Sequence, residues 1–237
     1  MAASNRTFKA KEFAPEPPGR ISFLARLGNG DPRVGVGLVA VLAVTAIAYF
    51  RALGNEFVGD DWDLIVNNGY LGNWSFIWTS MVNDVLWFHD PRHTPYSLYY
   101  RPMHDIWLAI NFHLFKFNPI GWHAATVALY LIVVWLVFRV AARISGDNWT
   151  GLLAAALFGL MPIHAQAVAW PAAVCQPLVA AFELGAFELY LRWNGESHRT
   201  RDLAISLGLY AAALLTYESA VVFPLLIGVY AALFRSA

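Results

Sequence analysis

The chain has 237 residues, of which 58% are hydrophobic and 14% charged, and its formal net charge at pH 7 is zero. The lack of a basic surplus argues against a nucleic-acid partner, and a single cysteine excludes a disulfide framework within the chain. Long runs without charge instead predict an all-α polytopic membrane protein, because about 20 apolar helical residues cross the hydrocarbon core of a bilayer.

Residues 1–33 are polar, basic and rich in proline, which predicts a disordered cytoplasmic tail. The first apolar run, 34–50, is long enough to form a membrane span. Prolines and charged residues divide the rest of residues 34–237, the predicted transmembrane domain, into further spans, about six in all. The later spans are 120–140, 149–163, 177–193 and two short spans within 203–234.

The segment 54–118, between the first two spans, is polar and aromatic. Tryptophan and tyrosine concentrate where a membrane meets water, so this long loop is expected at that boundary. Within it, residues 101–118 show an apolar stripe at helical spacing, but polar residues interrupt the stripe too often for a span. They predict an amphipathic helix lying in the interface. The stripe comprises Ile106, Trp107, Ile110, Leu114 and Phe117.

The basic residues predict the orientation of the chain. Twelve of the 16 Lys and Arg residues fall in segments that six spans place on the same side as the N-terminus. Cytoplasmic segments of membrane proteins carry an excess of these residues. The N-terminus is therefore expected in the cytoplasm and the loop 54–118 on the extracytoplasmic face, and we expect the membrane to be a bacterial plasma membrane.

Asp60 and Asp61 follow the first span. In an arbitrary membrane protein, such a pair is most often part of a solvated loop. The sharper hypothesis is a catalytic base, which must be ionised and within hydrogen-bond reach of an acceptor hydroxyl. Adjacent carboxylates repel, so one of them is expected to titrate at higher pH than the other. A third interpretation is a divalent-cation site built from carboxylate oxygens, and the pattern does not decide whether a metal is bound.

Arg101 and His104 lie one helical turn apart at the start of the interfacial helix. An arginine at this depth commonly does no more than reach for lipid headgroups. Its guanidinium also matches phosphate oxygens with two parallel hydrogen bonds, and a helix N-terminus adds backbone donors. The pair therefore predicts a binding site for the phosphate of a lipid carrier.

Other polar residues stand beside or inside the apolar runs. A lone histidine near the end of a span, such as His164 beside Gln166, is most often a hydrogen-bonded interface residue. An acid in apolar surroundings usually faces a cavity or a partner. This applies to Glu218 and, with equal weight given to packing and function, to Glu183.

Five segments, in chain order, resemble motifs of the transmembrane, TPR-linked O-mannosyltransferases. Residues 57–68 are similar to F-x-x-D-D-x-x-x-I-x-x-N, and residues 100–102 to Y-R-P. Residues 118–123 resemble N-P-x-G-F/W-H, and residues 162–170 resemble P-I/V-H-T/A-E/Q-A-V-A-W. Residues 218–224 are similar to the K-E-x-A…P segment. More broadly, the pattern resembles the GT-C superfamily, which includes the protein O-mannosyltransferases of glycosyltransferase family 39.

The resemblance implies transfer of a sugar, mannose or a similar hexose, from a polyprenyl-phosphate donor. The acceptor would be a protein hydroxyl or another extracytoplasmic group such as a glycan, and the anomeric carbon would be inverted. Asp60 is implied as the base, Asp61 as a group that orients the acceptor or tunes its neighbour, and Arg101 with His104 as the donor-phosphate site. The residues implied to line the cavity are His164, Gln166 and Glu218.

Members of this superfamily have more than six spans, so residues 34–237 are expected to be part of a larger domain. The chain departs from the family at residues 171–176, where members carry a polar S-G-R-x-E/D stretch, and at Met161 and Tyr217, which replace His and Lys. Two other interpretations stay open: a non-catalytic transporter, lipid-handling protein or scaffold, and an inactive glycosyltransferase fragment. A transporter should place its polar groups near the bilayer midplane, often in inverted repeats, whereas these cluster towards one face.

Overall fold

The computed structural model describes residues 28–92 and 95–234, and within those ranges it contains helices and turns but no β-strand. The predicted all-α class is therefore confirmed. The helices are α1 (Pro32–Tyr49), α2 (Ser75–Ser80), α3 (Pro102–Phe115), α4 (Pro119–Ser145), α5 (Asn148–Leu160), α6 (Ala165–Ala169), α7 (Cys175–Arg192), α8 (Thr200–Leu214) and α9 (Phe223–Phe234). Single helical turns lie at Phe50–Gly54, Trp62–Val66, Trp87–His89, Pro162–His164, Pro171–Val174, Trp193–Ser197 and Glu218–Val222.

Three of the described helical segments are long and apolar enough to cross a membrane: Pro32–Gly54, Pro119–Ser145 and Pro171–Gly195. Asn148–Leu160 and Pro162–Ala169 reach that length only together, and they are bent by 52° at Met161. Pro162 accounts for the bend, because proline has no N–H to continue the helix. The chain is thus a membrane protein, while the six spans stay a prediction, since α8 and α9 have only 15 and 12 residues.

The first helix begins inside the segment predicted as a tail. Asp31 accepts a hydrogen bond from the Arg33 N–H at 2.8 Å, and Pro32 occupies the first helical position, where its missing N–H costs nothing. The helix therefore begins at Pro32, within the last two residues of the tail predicted over residues 1–33. Residues 1–27 of the predicted tail lie outside the described residues.

The long helix α4 is the centre of the molecule, and α1, α5 and α7 pack around it, with α8 packed on α7. Its inner face carries Val133, Val134 and Phe138, which are fully or almost fully buried against Val34 and Leu38 of α1. Burial of such aliphatic and aromatic side chains provides packing between the helices. The result is a bundle whose two ends carry different chemistry.

We call these two ends the N-terminal end and the cavity end. At the N-terminal end, Asn29 donates to Asn148 and accepts from Arg139. At the cavity end, the Tyr49 hydroxyl contacts the Met161 carbonyl at 3.4 Å. The loop 54–118 and the turns at 161–174 and 215–222 gather at this second end.

The loop 54–118 has a core of its own, in which Leu71, Phe76 and Trp87 pack against Leu108 of α3. The helix predicted in this loop is present as α3, but of its apolar stripe Trp107 packs against the core while the C-terminal part is exposed. Ile110 and Leu114 are 42% and 67% exposed. The buried residues of α3 are Pro102, His104, Asp105, Leu108, Ala109, Asn111 and Phe112. An interfacial helix has lipid on one side, so its apolar stripe can stay outside while polar residues turn inward.

Candidate active site

A cavity of about 230 Å³ lies at the cavity end, between the loop 54–118, α3 and the turn before α7. We call it the Asp60 cavity. It is the place where two separate motifs of the sequence, the acidic pair and the Tyr-Arg-Pro segment, meet. Its lining consists of Asp60, Asp63, Leu64, Val85, Leu86, Tyr99, Arg101, His104 and Ala172.

The two adjacent carboxylates have different surroundings. Asp61 is fully buried, and its two oxygens accept hydrogen bonds from the backbone N–H groups of Val58 and Ala172, at 3.0 and 2.7 Å. Burial raises the pKa of Asp61, although both hydrogen bonds oppose the shift. Asp60 is exposed and lines the cavity. Asp61 therefore fixes the loop to the turn at 171–174, and Asp60 is the member of the pair that can meet a ligand.

A glycine and a tryptophan fix the backbone that carries Asp60. Gly59 has a φ of +53°, a left-handed conformation that favours glycine. A Cβ at this position would lie 3.4 Å from the ring of Trp170, which is an ordinary van der Waals contact, so the requirement for glycine comes from the backbone conformation. The Trp170 Nε1–H donates to the Val58 carbonyl at 3.1 Å. The segment 162–170 thus supports the acidic loop through its last residue.

Arg101 is held from several directions at the start of α3. Its Nε and Nη2 donate to the two carboxylate oxygens of Glu218, at 3.0 and 2.8 Å. Its guanidinium carbon lies 4.5 Å from the ring centroid of Tyr99 and 4.6 Å from that of Tyr217. Burial alone would lower the pKa of Arg101, but Glu218 raises it. The side chain is a fixed cation with a planar fork, the arrangement that binds phosphate or carboxylate.

His104 lines the same cavity one turn further along α3, and it is only 2% exposed. Its Nδ1 lies 3.4 Å from an oxygen of Asp105, which is equally buried. Burial raises the pKa of Asp105, opposed by the neighbouring histidine. Both ring nitrogens of His104 lack a hydrogen-bond partner among the described residues. Nδ1 faces the Asp105 carboxylate, so Nε2 is the ring nitrogen that a ligand in the cavity could engage.

The three residues that the resemblance implied as cavity lining, His164, Gln166 and Glu218, do not line one common cavity. Glu218 reaches the Asp60 cavity indirectly, through its ion pair with Arg101. His164 lines a separate cavity of about 230 Å³ between α4 and α7, with Tyr130 and Gln176. Gln166 is exposed and lines neither the Asp60 cavity nor the cavity beside His164.

A larger cavity of about 510 Å³ lies between α4, α5, α7 and α9. Its lining is mostly apolar, and Glu183 is its ionisable residue. The Asp60 cavity is smaller but combines two carboxylates, a guanidinium and an imidazole. These are groups that can act as acid, base or anion-binding cation towards a polar substrate. We therefore take the smaller cavity as the candidate active site.

Across the described ranges, no group of three or more His, Cys, Asp or Glu side chains is arranged to hold a metal ion. Asp61 directs both of its oxygens at backbone N–H groups. The acidic pair therefore does not form a joint cation site in this arrangement.

Three residues around the site were not predicted from the sequence to belong to it. Asp63 lies one helical turn after Asp60, and that spacing could have indicated a shared face. Tyr99 stands two residues before Arg101, and Tyr217 directly precedes Glu218. Only the folded chain brings both rings to the same guanidinium.

Comparison with known proteins gives the following relatives. The chain is 28% identical over 215 residues to Protein O-mannosyl-transferase Tmtc1 of Drosophila melanogaster, covering 88% of this chain and 24% of that protein. It is 26% identical to Protein O-mannosyl-transferase TMTC3 of Homo sapiens, covering 76% and 19%. It is 29% identical to Protein O-mannosyl-transferase TMTC1 of Mus musculus, covering 70% and 18%.

The resemblance inferred from the motifs, to transmembrane O-mannosyltransferases, is thereby confirmed. The chain spans about a quarter or less of the length of these relatives. All three come from animals, so they give no support to a bacterial plasma membrane. No family model matches the chain, and no solved structure matches it.

Proposed function

We propose that this chain carries the donor site and the catalytic base of a polyprenyl-phosphate-dependent O-mannosyltransferase. The enzyme would transfer a hexose to a protein hydroxyl with inversion. The observation that carries the proposal is the Asp60 cavity, which combines an accessible carboxylate with a fixed guanidinium beside an interfacial helix. The names of the relatives support the sugar and the protein acceptor.

Arg101 holds the donor phosphate in this proposal. Its fork already binds two oxygens of a carboxylate, Glu218. Two oxygens of a phosphate offer the same geometry, so the phosphate takes the place of that carboxylate. Tyr99 and Tyr217 keep the guanidinium plane in position during the exchange. His104 adds a ring N–H to the phosphate from one turn further along the helix.

Asp60 takes the proton in the transfer step. The acceptor hydroxyl oxygen forms a bond to the anomeric carbon while the bond from that carbon to the phosphate oxygen breaks. The hydroxyl proton passes to the Asp60 carboxylate, and the electron pair leaves with the polyprenyl phosphate. Arg101 stabilises the charge that develops on this leaving group. Attack from the side opposite the phosphate inverts the anomeric carbon.

The orientation belongs to the same proposal. We place the cavity end on the extracytoplasmic face and the N-terminus in the cytoplasm. Arg139 and Arg143 lie at the N-terminal end of the bundle, as an excess of basic residues on the cytoplasmic side predicts. The interfacial position of α3 then puts Arg101 at the depth of lipid headgroups, where a lipid-linked donor presents its phosphate.

The test is Asp60→Asn, assayed for transfer of labelled mannose from polyprenyl-phosphate mannose in membranes that contain the chain. Asparagine keeps the size of the side chain but cannot accept the proton, so transfer should fall by about 10²–10⁴-fold. Donor binding should persist, because Arg101 is unchanged. Glu56→Gln is the matched control, since Glu56 is an exposed acid close in sequence that does not line the cavity.

Asp63→Asn distinguishes the two acids that line the cavity. If only this variant lost transfer, Asp63 rather than Asp60 would be the base. Normal transfer by both variants, or donor binding without transfer by the unmodified chain, would contradict the proposed chemistry and favour a non-catalytic lipid-handling protein.

A further inference from the structure

The larger cavity between α4, α5, α7 and α9, of about 510 Å³, takes no part in the proposed transfer reaction. We call it the Glu183 cavity. Its lining is apolar except for Glu183 and Ser219. It reaches the surface of the bundle, because Val222 and Leu226 of that lining are 58% and 46% exposed. A carboxylate therefore lies in an apolar recess that opens on the side of the bundle.

Glu183 lacks the ion pair that two other glutamates of the bundle have. Glu188 lies 2.8 Å from Arg139, and Glu218 lies 2.8 Å from Arg101. Among the residues that the structure describes, Glu183 forms no hydrogen bond or ion pair. Its neighbour in the cavity, Ser219, carries no charge. A cation that compensates the Glu183 carboxylate must therefore come from outside the described part of the chain.

Glu183 lies at the middle of its membrane span. The segment that contains it runs from Pro171 to Gly195, and at about 1.5 Å per residue Glu183 is about 18 Å from either end. Phospholipid headgroups lie at the ends of a span, so a headgroup cation does not reach this depth. An ionisable residue inside a membrane usually faces a cavity or a partner. A partner that brings a cation to Glu183 must itself cross the membrane.

A second copy of this chain offers no cation at the required depth. In the three long apolar segments, every lysine or arginine stands towards one end: Arg33, Arg51, Arg139, Arg143 and Arg192. The shorter apolar helices α5 and α9 contain neither residue type. The composition of the described helices therefore favours a different polypeptide as the partner.

The exposed surface of α9 continues the Glu183 cavity along the bundle. Leu226, Val229 and Leu233 recur at helical spacing and so share one face of α9. They are 46%, 50% and 68% exposed. At about 1.5 Å per residue, this stripe extends about 10 Å beyond Leu226, its residue in the cavity. An elongated apolar surface of this kind suits a helix, which binds through side chains repeated at the same spacing.

We propose that the Glu183 cavity and this stripe of α9 bind a transmembrane helix of another protein, one that carries a lysine or arginine near its middle. The partner's cation pairs with the Glu183 carboxylate, and its apolar side chains fill the recess and cover the stripe. Pairing relieves the cost that each charge has alone in lipid. The interaction does not depend on sugar transfer, because the Glu183 cavity shares no lining residue with the Asp60 cavity.

The test reconstitutes the purified chain in phosphatidylcholine vesicles with a synthetic leucine–alanine helix that carries one arginine at its centre. A comparison helix has leucine there. Energy transfer from a dye on the chain to a dye on the helix measures each dissociation constant. The chain should bind the arginine helix about tenfold more tightly than the leucine helix, and Glu183→Gln should abolish this preference. Leu153→Gln is the matched control and should keep the preference, because Leu153 is a 61% exposed residue of α5 that does not line the cavity.

Ala180→Leu tests the cavity without a change of charge. Ala180 lines the Glu183 cavity, so the larger side chain should occupy room that the partner needs and weaken binding of the arginine helix. Equal binding of the two helices by the unmodified chain, a preference that survives in Glu183→Gln, or full binding by Ala180→Leu would overturn the proposal. Energy transfer between two differently labelled copies of the chain that Glu183→Gln abolishes would also overturn it, since a second copy would then occupy the cavity.

Discussion

Asp60 and Asp61 are neighbours in the chain with opposite surroundings. From the sequence, the two carboxylates could be identified as a pair but not told apart, since both follow the first span in the same acidic run. What separates them is the backbone N–H of Ala172, which lies 111 residues from Asp61. A contact of that sequence separation leaves no local pattern. The resemblance favoured Asp60 as the base, and only Asp60 of the two lines the cavity.

Arg101 and Glu218 allow a paired test of donor binding. Arg101→Ala removes the fork and should weaken polyprenyl-phosphate binding by about 2–5 kcal/mol, as the loss of one partner of a charge pair does. Arg101→Lys keeps the charge but not the bidentate geometry and should fall in between. Equilibrium binding of fluorescent polyprenyl phosphate to the chain in detergent measures both.

Glu218→Gln should act in the opposite direction. Burial alone would raise the pKa of Glu218, but the ion pair with Arg101 lowers it, so the carboxylate is ionised at neutral pH. It therefore competes with the phosphate for Arg101. Removing its charge should strengthen donor binding. Weaker binding in Glu218→Gln would mean that Glu218 positions Arg101 and is not displaced by the donor.

At the scale of elements, a second buried carboxylate of the loop 54–118, Asp84, organises a turn that the sequence did not distinguish. Asp84 is only 7% exposed. It accepts hydrogen bonds from the N–H groups of Leu86, Tyr96 and Ser97 and from the Ser97 hydroxyl, at 2.8–3.1 Å. These bonds close a turn of the loop and bring Tyr99, whose carbonyl accepts from the Val85 N–H, to the Asp60 cavity.

Asp84→Ala should therefore loosen the loop. Loss of several hydrogen bonds to a charged acceptor should lower the free energy of unfolding of this region by about 2–4 kcal/mol. Hydrogen exchange of the amides of Tyr96 and Ser97 measures the effect. Asn83→Ala is the control, because the Asn83 side chain donates one hydrogen bond, to Thr79. Equal protection in both variants would contradict the role of Asp84.

The same carboxylate predicts a pH dependence. Burial alone would raise the pKa of Asp84, but the hydrogen bonds outweigh burial and lower it. A lowered pKa in the folded state means that the stabilisation is present above the ordinary aspartate value, about 3.9, and is lost as the pH falls through the folded value. The Tyr96 and Ser97 amides of the unmodified chain should therefore stay protected from hydrogen exchange to below pH 4. In Asp84→Ala this titration is absent, so their exchange should show no corresponding loss of protection as the pH falls.

The interfacial helix illustrates what a pattern can predict about an element. Helical spacing predicted residues 101–118, and α3 covers Pro102–Phe115. The pattern did not predict which face is buried, because lipid and protein interior both accept apolar side chains. His104 and Asp105 were interpreted as interruptions of an apolar stripe, and they are buried against the loop. Helical periodicity shows which residues share a face and how polar that face is, but not whether lipid or protein covers it.

At the scale of the whole molecule, the sequence predicted the long membrane spans. The last two predicted spans are too short for helix length alone to show whether they cross the membrane. The helices α1, α4 and α7 have the length and composition of spans. The two runs after them are shorter, and Thr216 and Glu218 interrupt the apolar sequence between them. Whether α8 and α9 cross the whole membrane depends on the helices packed against them and on the local bilayer thickness, and amino-acid composition gives neither.

The proposed orientation is tested by cysteine labelling. Leu98 is 97% exposed in the loop, so the cysteine of Leu98→Cys should react with an impermeant maleimide added outside. Thr200→Cys, at the start of α8, should react only after the membrane is permeabilised. The native Cys175 is buried and gives a low background. Reversed labelling would place the Asp60 cavity on the cytoplasmic face and remove the case for an extracytoplasmic acceptor.

The central claim is that the Asp60 cavity holds the phosphate and sugar of a lipid-linked donor. The most direct measurement is photo-crosslinking of the chain in membranes with a polyprenyl-phosphate mannose that carries a photoreactive group on the sugar, followed by mass spectrometry of the labelled peptides. The account predicts labels on residues 60–64 and 99–104, removed by excess unlabelled donor and reduced in Arg101→Ala. Labels confined to the apolar cavity around Glu183, or labelling that unlabelled donor does not reduce, would contradict it.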